Sequence, residues 1–260
     1  MVIKVAVHGS SGKMGQMVIS AIGHESDLKL VGGIDVKVPG DFMDTPSGRI
    51  PCGTNLDAII RETRPDVLVD FSTATAVIPM VTTAAAHGVH IVSGTTGLDA
   101  GCLKAIDEIA LSAGIGAVIA ANFALGAVVM MHLAELAAKY FDYAEIIEEH
   151  HEQKLDAPSG TALATAKLMA QARGRDFLEP VHKEQLAPRG QSVTGIAMHS
   201  VRLPGLVARQ EVLFGATGQT LSIKHEAISR ECYMPGVMIA VKKVGDYKGL
   251  VPGLDRLLGF

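Results

Sequence analysis

Residues 2–15 read Val2-Ile3-Lys4-Val5-Ala6-Val7-His8-Gly9-Ser10-Ser11-Gly12-Lys13-Met14-Gly15. The apolar run over residues 2–7 predicts a buried β-strand. The glycines that follow predict a tight turn, because glycine adopts backbone conformations that strain other residues. Apolar side chains then recur at the spacing of an amphipathic helix, at positions 14, 17, 18, 21 and 22. A strand, a glycine turn and a helix in this order are typical of the first unit of a doubly wound α/β fold.

The same alternation continues through the first half of the chain. We predict further strands over residues 28–34, 67–71, 89–92 and 117–121, with helices over 56–63, 76–87 and 99–112. Strands so continuously apolar belong to a parallel sheet that is covered on both faces. With right-handed crossovers, such a sheet is a doubly wound parallel sheet of the Rossmann type.

The second half has a different pattern. It predicts a helix over 124–140, a strand over 143–149, a helix over 158–173, an irregular segment over 173–191, and consecutive antiparallel strands over 195–202, 208–214 and 219–225. Residues 234–260 are apolar enough to return to the first domain. We therefore expect an inserted α+β domain over 122–231, within a dinucleotide-binding domain formed by 1–121 and 232–260.

Composition excludes several classes of protein. Of the 260 residues, 48% are hydrophobic, which excludes intrinsic disorder. Lys and Arg number 23 against 27 Asp and Glu, and the net charge of −4 argues against nucleic-acid and membrane partners. Cys52, Cys102 and Cys232 are far apart and form neither a disulfide framework nor a metal site. With no leader peptide or apolar run of membrane-spanning length in the sequence, we expect a cytoplasmic protein without a metal.

The glycine turn predicts a site for a dinucleotide. The N-terminus of the helix that follows it presents free N–H groups and a partial positive charge, which suit a pyrophosphate. Asp35 ends the second strand, where a carboxylate accepts hydrogen bonds from a ribose hydroxyl. That carboxylate favours a free 2′-hydroxyl, and it repels a 2′-phosphate unless Lys37 compensates. NADH and NADPH both stay open as cofactors, as does a glycine turn that binds nothing.

A P-loop is excluded, because Met14 follows Lys13 where that motif requires Ser or Thr.

A second cluster lies in the stretch Glu148-Glu149-His150-His151-Glu152-Gln153-Lys154-Leu155-Asp156-Ala157-Pro158-Ser159-Gly160-Thr161. Histidine exchanges protons near neutral pH, and a lysine offers a cation or a second proton donor. Pro158 suits the first position of a helix, so the N–H groups of residues 159–161 should form a corner for a carboxylate or phosphate. Six acidic residues between Asp142 and Asp156 oppose an anionic ligand, and we expect some of them to face solvent. A metal site and a solvated polar loop are the alternative interpretations.

The run from Glu148 to Ala162 resembles the E-x-H-H-x-x-K-x-D-A-P-S-G-T-A pattern of the dihydrodipicolinate reductase family. That family reduces the cyclic dicarboxylate intermediate of diaminopimelate and lysine biosynthesis. Further matches lie at Gly9–Gly15, at Gly94-Thr95-Thr96-Gly97, at Ala120-Ala121-Asn122-Phe123 and at Ser229-Arg230. The resemblance covers essentially the whole chain.

The resemblance implies a role for each of these residues. It implies that His150 is the proton donor and acceptor and that Lys154 is a second proton donor. It places His151, Gly160 and Thr161 on the substrate carboxylates. It assigns the dinucleotide to Gly9, Ser10, Ser11, Gly12, Lys13, Met14, Asp35, Gly94, Thr95, Thr96, Ala120, Ala121, Asn122 and Phe123. It also implies a homotetramer that assembles through the inserted, substrate-binding domain.

We therefore expect hydride transfer from NADH or NADPH to 4-hydroxy-tetrahydrodipicolinate, with loss of water, to give tetrahydrodipicolinate. Some relatives place an arginine directly after the acidic residue to bind a 2′-phosphate, where this chain has Val36 and then Lys37. One alternative is an amino-acid dehydrogenase acting on aspartate or homoserine, which shares the glycine turn but not the run after Glu148. Another is a non-catalytic regulator that senses a dinucleotide, which requires a DNA-binding or partner-binding module.

Overall fold

The computed structural model describes residues 2–180 and 187–260, and the chain divides into two compact units. The first unit comprises Met1–Phe123 and Tyr233–Phe260, and the second comprises Ala124–Cys232. Residues 181–186, within the segment predicted to be irregular, lie outside the described residues.

The strands of the described residues, in chain order, are β1 (Ile3–His8), β2 (Leu28–Ile34), β3 (Phe42–Thr45), β4 (Gly48–Gly53), β5 (Val67–Asp70), β6 (His90–Ser93), β7 (Gly116–Ile119), β8 (Tyr143–His150), β9 (Gln191–Val193), β10 (Ile196–Arg202), β11 (Ala208–Ala216), β12 (Gln219–Ala227) and β13 (Gly249–Pro252). The α-helices are α1 (Lys13–Ile22), α2 (Leu56–Thr63), α3 (Ala74–Ala86), α4 (Ala100–Ala113), α5 (Leu125–Ala138), α6 (Gly160–Arg173), α7 (Met234–Lys243) and α8 (Asp255–Leu258). Short 3-10 turns cover Ala187–Arg189, Arg230–Tyr233 and Val244–Asp246.

The first unit is built on one eight-stranded sheet. Its strand order is β13-β7-β6-β5-β1-β2-β4-β3, and every neighbouring pair is parallel except β3 with β4. From β1 the chain moves outward to β2 and β4, then returns to the other side of β1 at β5. This reversal defines the switch point of a doubly wound sheet. The predicted Rossmann-type fold is confirmed.

Both faces of this sheet are buried. On one face, Ala6 and Leu68 join a cluster that includes Val77 of α3 and Ile106 of α4. Successive side chains of a strand point to opposite faces, so their neighbours point the other way, and Val5, Val7, Val67, Val69 and Val118 are also buried. The prediction, from continuously apolar strands, of a sheet covered on both faces is therefore correct.

Two parts of this sheet were not predicted. The hairpin of β3 and β4 extends one edge, and β13 forms the other edge beside β7. The hairpin sequence is interrupted by polar and turn-forming residues, so it shows no strand periodicity. The strand β13 has only four residues, and its Leu250 N–H is held by the carboxylate of Asp107 at 2.8 Å. Both depend on pairing with distant residues.

The second unit is a five-stranded sheet with the order β12-β11-β8-β10-β9. The apolar core between this sheet and α5 and α6 includes Ala134, Ile146, Ala166, Met169 and Phe214. The prediction that β10, β11 and β12 pair consecutively is wrong for the first pair. The strand β8 lies between β10 and β11, parallel to the first and antiparallel to the second.

The connection from β10 to β11 explains this error. Leu203-Pro204-Gly205 has the composition of a hairpin turn, but the chain crosses the end of β8 there. The Leu203 N–H donates to the His150 carbonyl at 3.0 Å. His150 consequently pairs with Arg202 on one side and Ala208 on the other.

The predicted start of α6 is also wrong. Pro158 precedes the helix, and Ser159 is its N-cap, with the Ser159 hydroxyl accepting the Ala162 N–H at 3.2 Å. Serine satisfies an unpaired N–H of a first helical turn, which proline cannot do with its hydrocarbon side chain. The helix therefore begins at Gly160.

Candidate active site

The predicted dinucleotide residues of the first unit follow four parallel strands. The loops at Gly9, Asp35, Gly94 and Ala120 come directly after β1, β2, β6 and β7. Carboxyl ends of parallel strands share one edge of a sheet, so the structure brings these loops to a common edge. The switch point between β1 and β5 lies on this edge, which is where open α/β sheets bind ligands.

The glycine turn permits a close approach of backbone segments. Gly9 has a φ of +80°, and a Cβ atom there would lie 2.7 Å from the Phe71 carbonyl oxygen. A Cβ atom at Gly15 would lie 2.0 Å from the Gly9 carbonyl oxygen. Among the described residues no side chain caps α1, and its first turn has no acidic residue. The N–H groups of Lys13 and Met14 are therefore suited to a pyrophosphate, and the turn fits a dinucleotide.

Asp35 is attached to the glycine turn. Its carboxylate accepts the Ser11 N–H at 2.9 Å, and the Ser11 hydroxyl donates to the Lys37 carbonyl at 2.7 Å. Val36 and Lys37 are both exposed. The structure thus brings Asp35 and the predicted phosphate turn together, as the sequence indicated.

A buried carboxylate, Asp70, joins the loops at the switch point. It accepts hydrogen bonds from His8 Nδ1 at 2.7 Å, Ser72 Oγ at 2.6 Å, Ser93 Oγ at 2.7 Å and Thr95 Oγ1 at 2.8 Å. Burial acts to raise the pKa of Asp70, but these hydrogen bonds outweigh it and hold that pKa below its ordinary value. Asp70 therefore remains an ionised acceptor shared by β1, β5 and β6.

Some side chains predicted to bind the cofactor are buried and others are exposed, and Asp70 accounts for the burial of Thr95. The Thr95 side chain is buried with its hydroxyl on Asp70, whereas Thr96 is exposed. The Ser10 side chain is fully buried. The Thr95 hydroxyl is therefore not available to a ligand, and Ser10, whose N–H donates to the Ile34 carbonyl, can only shape the turn. Sequence reasoning missed Asp70, whose one signal was its position at the end of a buried strand.

Aromatic side chains support the remaining loops. Phe71 and Phe123 pack with their ring centroids 6.1 Å apart, and Phe123 is buried. A Cβ atom at Gly94 would lie 2.1 Å from the Phe71 ring. The loop after β7 is tied to β6 by the Ala120 N–H, which donates to the Ser93 carbonyl at 3.0 Å. Ala121 is exposed.

In the second unit, the sheet changes from apolar to polar along its helix-covered face. One row across the strands contains Ile223, Val212, Ile146 and Met198, and the next contains His225, Gln210, Glu148 and Ser200. A third row places His150 between Ala208 and Arg202. The predicted proton-transfer residue therefore lies where the apolar core ends.

Glu148 is the centre of this polar region. It is fully buried, and its carboxylate accepts His150 Nδ1 at 2.5 Å, Arg202 Nη2 at 2.8 Å and the Ser159 N–H at 3.3 Å. Burial acts to raise the pKa of Glu148, but the hydrogen bonds from His150 and Arg202 lower it to about 2. An ionised carboxylate only accepts, so His150 must donate through Nδ1. Nε2 is then the His150 atom left for a ligand.

The structure corrects one predicted donor of the anion corner. The Ser159 N–H was expected to point out of the helix, but it donates to Glu148. Gly160 and Thr161 begin α6, where Gly160 is exposed and no acidic residue lies in the first turn. The Gly160 N–H also contributes to the lowered pKa of Asp156, so this end of α6 already faces a carboxylate.

Lys154 lies in the loop between β8 and α6. Its ammonium group contacts the Asp156 carboxylate at 2.7 Å, and this hydrogen bond is the main cause of the lowered pKa of Asp156. The Lys154 N–H donates to the His151 carbonyl at 3.2 Å, which gives this loop a turn. His151 is half-buried. His150, His151, Lys154 and the start of α6 are all within one short segment of the second unit.

The acidic residues of this region are mostly paired. Five of the six acids between Asp142 and Asp156 contact a lysine or arginine: Asp142 with Arg173, Glu145 with Arg189, Glu148 with Arg202, Glu149 with Arg209, and Asp156 with Lys154. The expected conflict with an anionic ligand is therefore reduced by neighbouring cations. Four of the five cations come from residues after 170, which local sequence reasoning could not connect to this segment.

Fold and site together define the class of protein. A Rossmann-type unit whose glycine turn fits a dinucleotide accompanies a unit in which a buried carboxylate orients a histidine, which is the organisation of a dinucleotide-dependent oxidoreductase. Family models described as "Dihydrodipicolinate reductase, N-terminus" and "Dihydrodipicolinate reductase, C-terminus" match residues 3–123 and 126–258. The chain belongs to the dihydrodipicolinate reductase family.

Individual relatives agree over the whole chain. A 4-hydroxy-tetrahydrodipicolinate reductase from Dehalococcoides mccartyi is 51% identical, with 98% of each chain covered. One from Moorella thermoacetica is 44% identical and covers 99% of this chain and 98% of its own. The solved structure of a dipicolinate-bound dihydrodipicolinate reductase from Paenisporosarcina sp. TG-14 is 40% identical, with a TM-score of 0.88 and coverage of 98% and 99%.

These findings establish the activity as NAD(P)H-dependent reduction in lysine and diaminopimelate biosynthesis. They do not favour an aspartate or homoserine dehydrogenase or a non-catalytic sensor. None of the described helices combines the length and the apolar character that a bilayer crossing needs.

Replacing Asp70 with Asn should weaken dinucleotide binding. The variant keeps the shape of the side chain but removes the charge that holds donors from the ends of β1, β5 and β6. We expect the Kd for NADH to rise roughly tenfold, which corresponds to about 1.4 kcal/mol. Titration of NADH fluorescence measures it. Asp57→Asn, which disrupts a surface pair with His87, is the control and should bind like the wild type. An unchanged Kd for Asp70→Asn would show that the shared acceptor does not shape the cofactor loops.

The lowered pKa of Glu148 predicts a pH-dependent contribution to stability. A carboxyl whose pKa is lowered by folding contributes fully above its unfolded value, near 4.5, and this contribution is lost as the pH falls towards about 2. Its full size is about 3 kcal/mol. The difference in unfolding free energy between wild type and Glu148→Gln should therefore be largest at pH 7 and should shrink below pH 4.5, as measured by urea denaturation.

The control for this measurement is Glu152→Gln, which removes an exposed carboxyl from the same segment. It should retain the pH dependence of the wild type. A difference between wild type and Glu148→Gln that stays constant from pH 7 to pH 3 would contradict the ionised state assigned to Glu148.

Proposed function

We propose that the second unit binds the cyclic dicarboxylate and that His150 supplies the proton that completes its reduction. The observation that carries this proposal is the 2.5 Å hydrogen bond from His150 Nδ1 to the buried Glu148 carboxylate. It leaves Nε2 as the exchanging atom and keeps the imidazole in one orientation. A histidine held in this way is suited to general acid–base chemistry.

Lys154 is proposed as the second proton donor. Its side chain is about three-quarters buried, and its ammonium group contacts the Asp156 carboxylate in the same loop. A substrate carboxylate competes with Asp156 for this ammonium group. Lys154 therefore serves both to attract the dianion and to donate a proton, which predicts an effect on binding as well as on turnover.

His151, Gly160 and Thr161 are proposed to hold the two carboxylates of the substrate. Gly160 and Thr161 supply N–H groups from the first turn of α6, where the helix dipole favours an anion. A Cβ atom at Gly160 would meet nothing within 4 Å, so the corner is open on that side. Two anchored carboxylates give the ring a single orientation, which lowers the entropic part of the barrier.

The cofactor is proposed to bind the first unit through the residues predicted from the sequence. NADH or NADPH supplies the hydride when it is bound. Gly9, Gly12, Lys13 and Met14 are suited to the pyrophosphate, with Ser10 and Ser11 shaping the turn. Asp35 is proposed to accept a ribose hydroxyl, with Lys37 as the nearby cation.

The remaining cofactor residues form the loops after β6 and β7. We propose that Gly94, Thr95 and Thr96 contribute backbone and the exposed Thr96 side chain. Ala120, Ala121, Asn122 and Phe123 are proposed to line the same edge, with the buried Phe123 supporting the loop.

We further propose that the chain forms a homotetramer through the second unit. Side chains on the sheet face opposite α5 and α6 alternate between apolar groups and ion pairs. Tyr143 and Val201 are both more than a third exposed, and Val201 pairs directly with Glu149, which forms an ion pair with Arg209. Such a mixed, partly apolar face suits association with copies of itself. The reducing cytoplasm is the proposed compartment, in keeping with three free cysteines.

Replacing His150 with Ala should lower kcat by roughly 10²–10⁴-fold, because the proton donor is lost while the substrate anchors remain. Lys154→Ala should lower kcat and also raise KM for the dicarboxylate. Oxidation of NADH or NADPH with freshly prepared 4-hydroxy-tetrahydrodipicolinate measures both. The matched control is His87→Ala, which removes a histidine paired with Asp57 in the first unit and should leave kcat unchanged. Wild-type turnover in His150→Ala would refute the assignment.

The oligomeric state is tested by light scattering on the eluting peak of a sizing column. The proposal predicts the mass of four chains. Replacing Val201 with Lys places a charge on the exposed sheet face and should shift the mass to smaller species. A wild-type mass of one chain would contradict the proposal.

A further inference from the structure

We propose that Arg202 and Glu148 are positioning residues. Together they hold the His150 imidazole, the loop that carries Lys154 and the start of α6 in place for the reaction. This inference rests on the proposed roles of His150, Lys154 and the start of α6. It adds a pair from outside the motif, because Arg202 lies 54 residues from Glu148 in the sequence and on a different strand.

Both oxygens of the Glu148 carboxylate accept hydrogen bonds. One oxygen accepts His150 Nδ1 at 2.5 Å and Arg202 Nη1 at 3.1 Å. The other accepts Arg202 Nη2 at 2.8 Å and the Ser159 N–H at 3.3 Å. A single buried group therefore determines the direction of the imidazole and the position of the α6 N-cap.

The Arg202 guanidinium extends this arrangement to the lysine loop. Besides its two bonds to Glu148, it donates through Nε to the Lys154 carbonyl at 3.3 Å and through Nη2 to the Asp156 carbonyl. It also donates to the Val201 carbonyl at 2.7 Å. Arginine has five donors in a rigid planar fork, so it can bind a carboxylate on two atoms and still donate to three carbonyls. Lysine cannot reproduce that pattern.

The location of Arg202 follows from the pairing of the strands. Because β10 runs parallel to β8, Arg202 lies directly opposite His150 at the end of both strands. Its side chain is 18% exposed, so it lies at the border of the site rather than deep in the core. The connection that passes over β8 brings Ala208 to the other side of the same histidine.

Electrostatics favour a positioning role over a purely stabilising one. A buried ion pair contributes little net stability compared with apolar side chains of similar size. Here, however, Arg202 neutralises a carboxylate that would otherwise repel a dianionic substrate. With Glu148 neutralised by Arg202, Lys154 remains as the cation proposed to attract the substrate. The pair thus allows a carboxylate to orient the histidine without opposing the ligand.

The test compares Arg202→Ala, Arg202→Lys and Arg173→Ala. Arg173 is the matched control, since its side chain is nearly buried and donates to the Phe141 carbonyl at 2.8 Å, at the opposite end of α6. We measure kcat and KM for the dicarboxylate, the Kd for NADH, and the thermal stability of each variant. Loss of alignment is expected to lower the kcat of Arg202→Ala about 10²-fold and to raise its KM. The Kd for NADH, which reports on the first unit, should be unchanged.

Two further results separate positioning from folding. Arg202→Lys should keep the charge and lose about tenfold in kcat, because it cannot hold both the carboxylate and the loop carbonyls. Added millimolar guanidinium should restore part of the activity of Arg202→Ala, since it can bind Glu148 in the space left by the arginine side chain. Arg173→Ala should keep the wild-type kcat even where its stability falls.

Several results would overturn the inference. Wild-type kcat and KM in folded Arg202→Ala would do so, as would equal losses in Arg202→Ala and Arg173→Ala at equal stability. If Arg202→Ala does not fold, wild-type kinetics in Arg202→Lys would overturn it instead. If His150→Ala oxidises NADH at the wild-type rate, the proposed role of His150 is refuted. That result is distinct from a failure of the inference about Arg202.

Discussion

A carboxylate cannot stay ionised inside a protein unless hydrogen bonds and cations replace the water it has lost. Glu148 meets this constraint in the second unit, and the surrounding structure follows from how it does so. Its partners are the histidine proposed to donate the proton, the N–H of the residue that caps α6 and an arginine from a neighbouring strand. Satisfying one buried charge therefore determines where three functional groups lie.

The first unit uses the same principle with different partners. Asp70 is buried at the switch point of the parallel sheet and accepts donors from the ends of three strands. Its partners are a histidine and hydroxyl groups, so the loops beside it are joined without an arginine. The glycine turn can then lie against the Phe71 backbone, where any side chain would collide. Each unit thus organises its ligand-binding groups around one ionised carboxylate.

The sequence predicted the parts of this arrangement that depend on local order. Continuous apolar strands and the glycine turn identified the fold, and the Glu148–Ala162 run identified the family, because each is encoded within a few neighbouring residues. The Glu148 side chain shows the limit of local reasoning. As one of six acids it was indistinguishable from a solvated group, and only the strand pairing reveals that it is buried beside Arg202.

The errors have the same physical origin. The order of β8, β10 and β11 depends on a connection that passes over a strand end, and a local turn signal does not distinguish this from a hairpin. The β3–β4 hairpin pairs with β2 through β4, and β13 pairs with β7. Because these neighbouring strands stabilise them, their own sequences need little of the apolar pattern that is typical of strands. The start of α6 was misplaced because proline and serine both suit a helix N-terminus, and the choice between them depends on a distant carboxylate at Glu148.

Glu148 holds His150 with Nδ1 protonated, which leaves Nε2 for a ligand. Nitrogen-15 NMR of the histidine-labelled enzyme tests this directly, with the His150 signals assigned by comparison with His150→Gln. The hydrogen bond to Glu148 predicts a proton on Nδ1 of His150 throughout the pH range in which the enzyme is folded and Glu148 is ionised. A neutral His150 that carries its proton on Nε2 would contradict it.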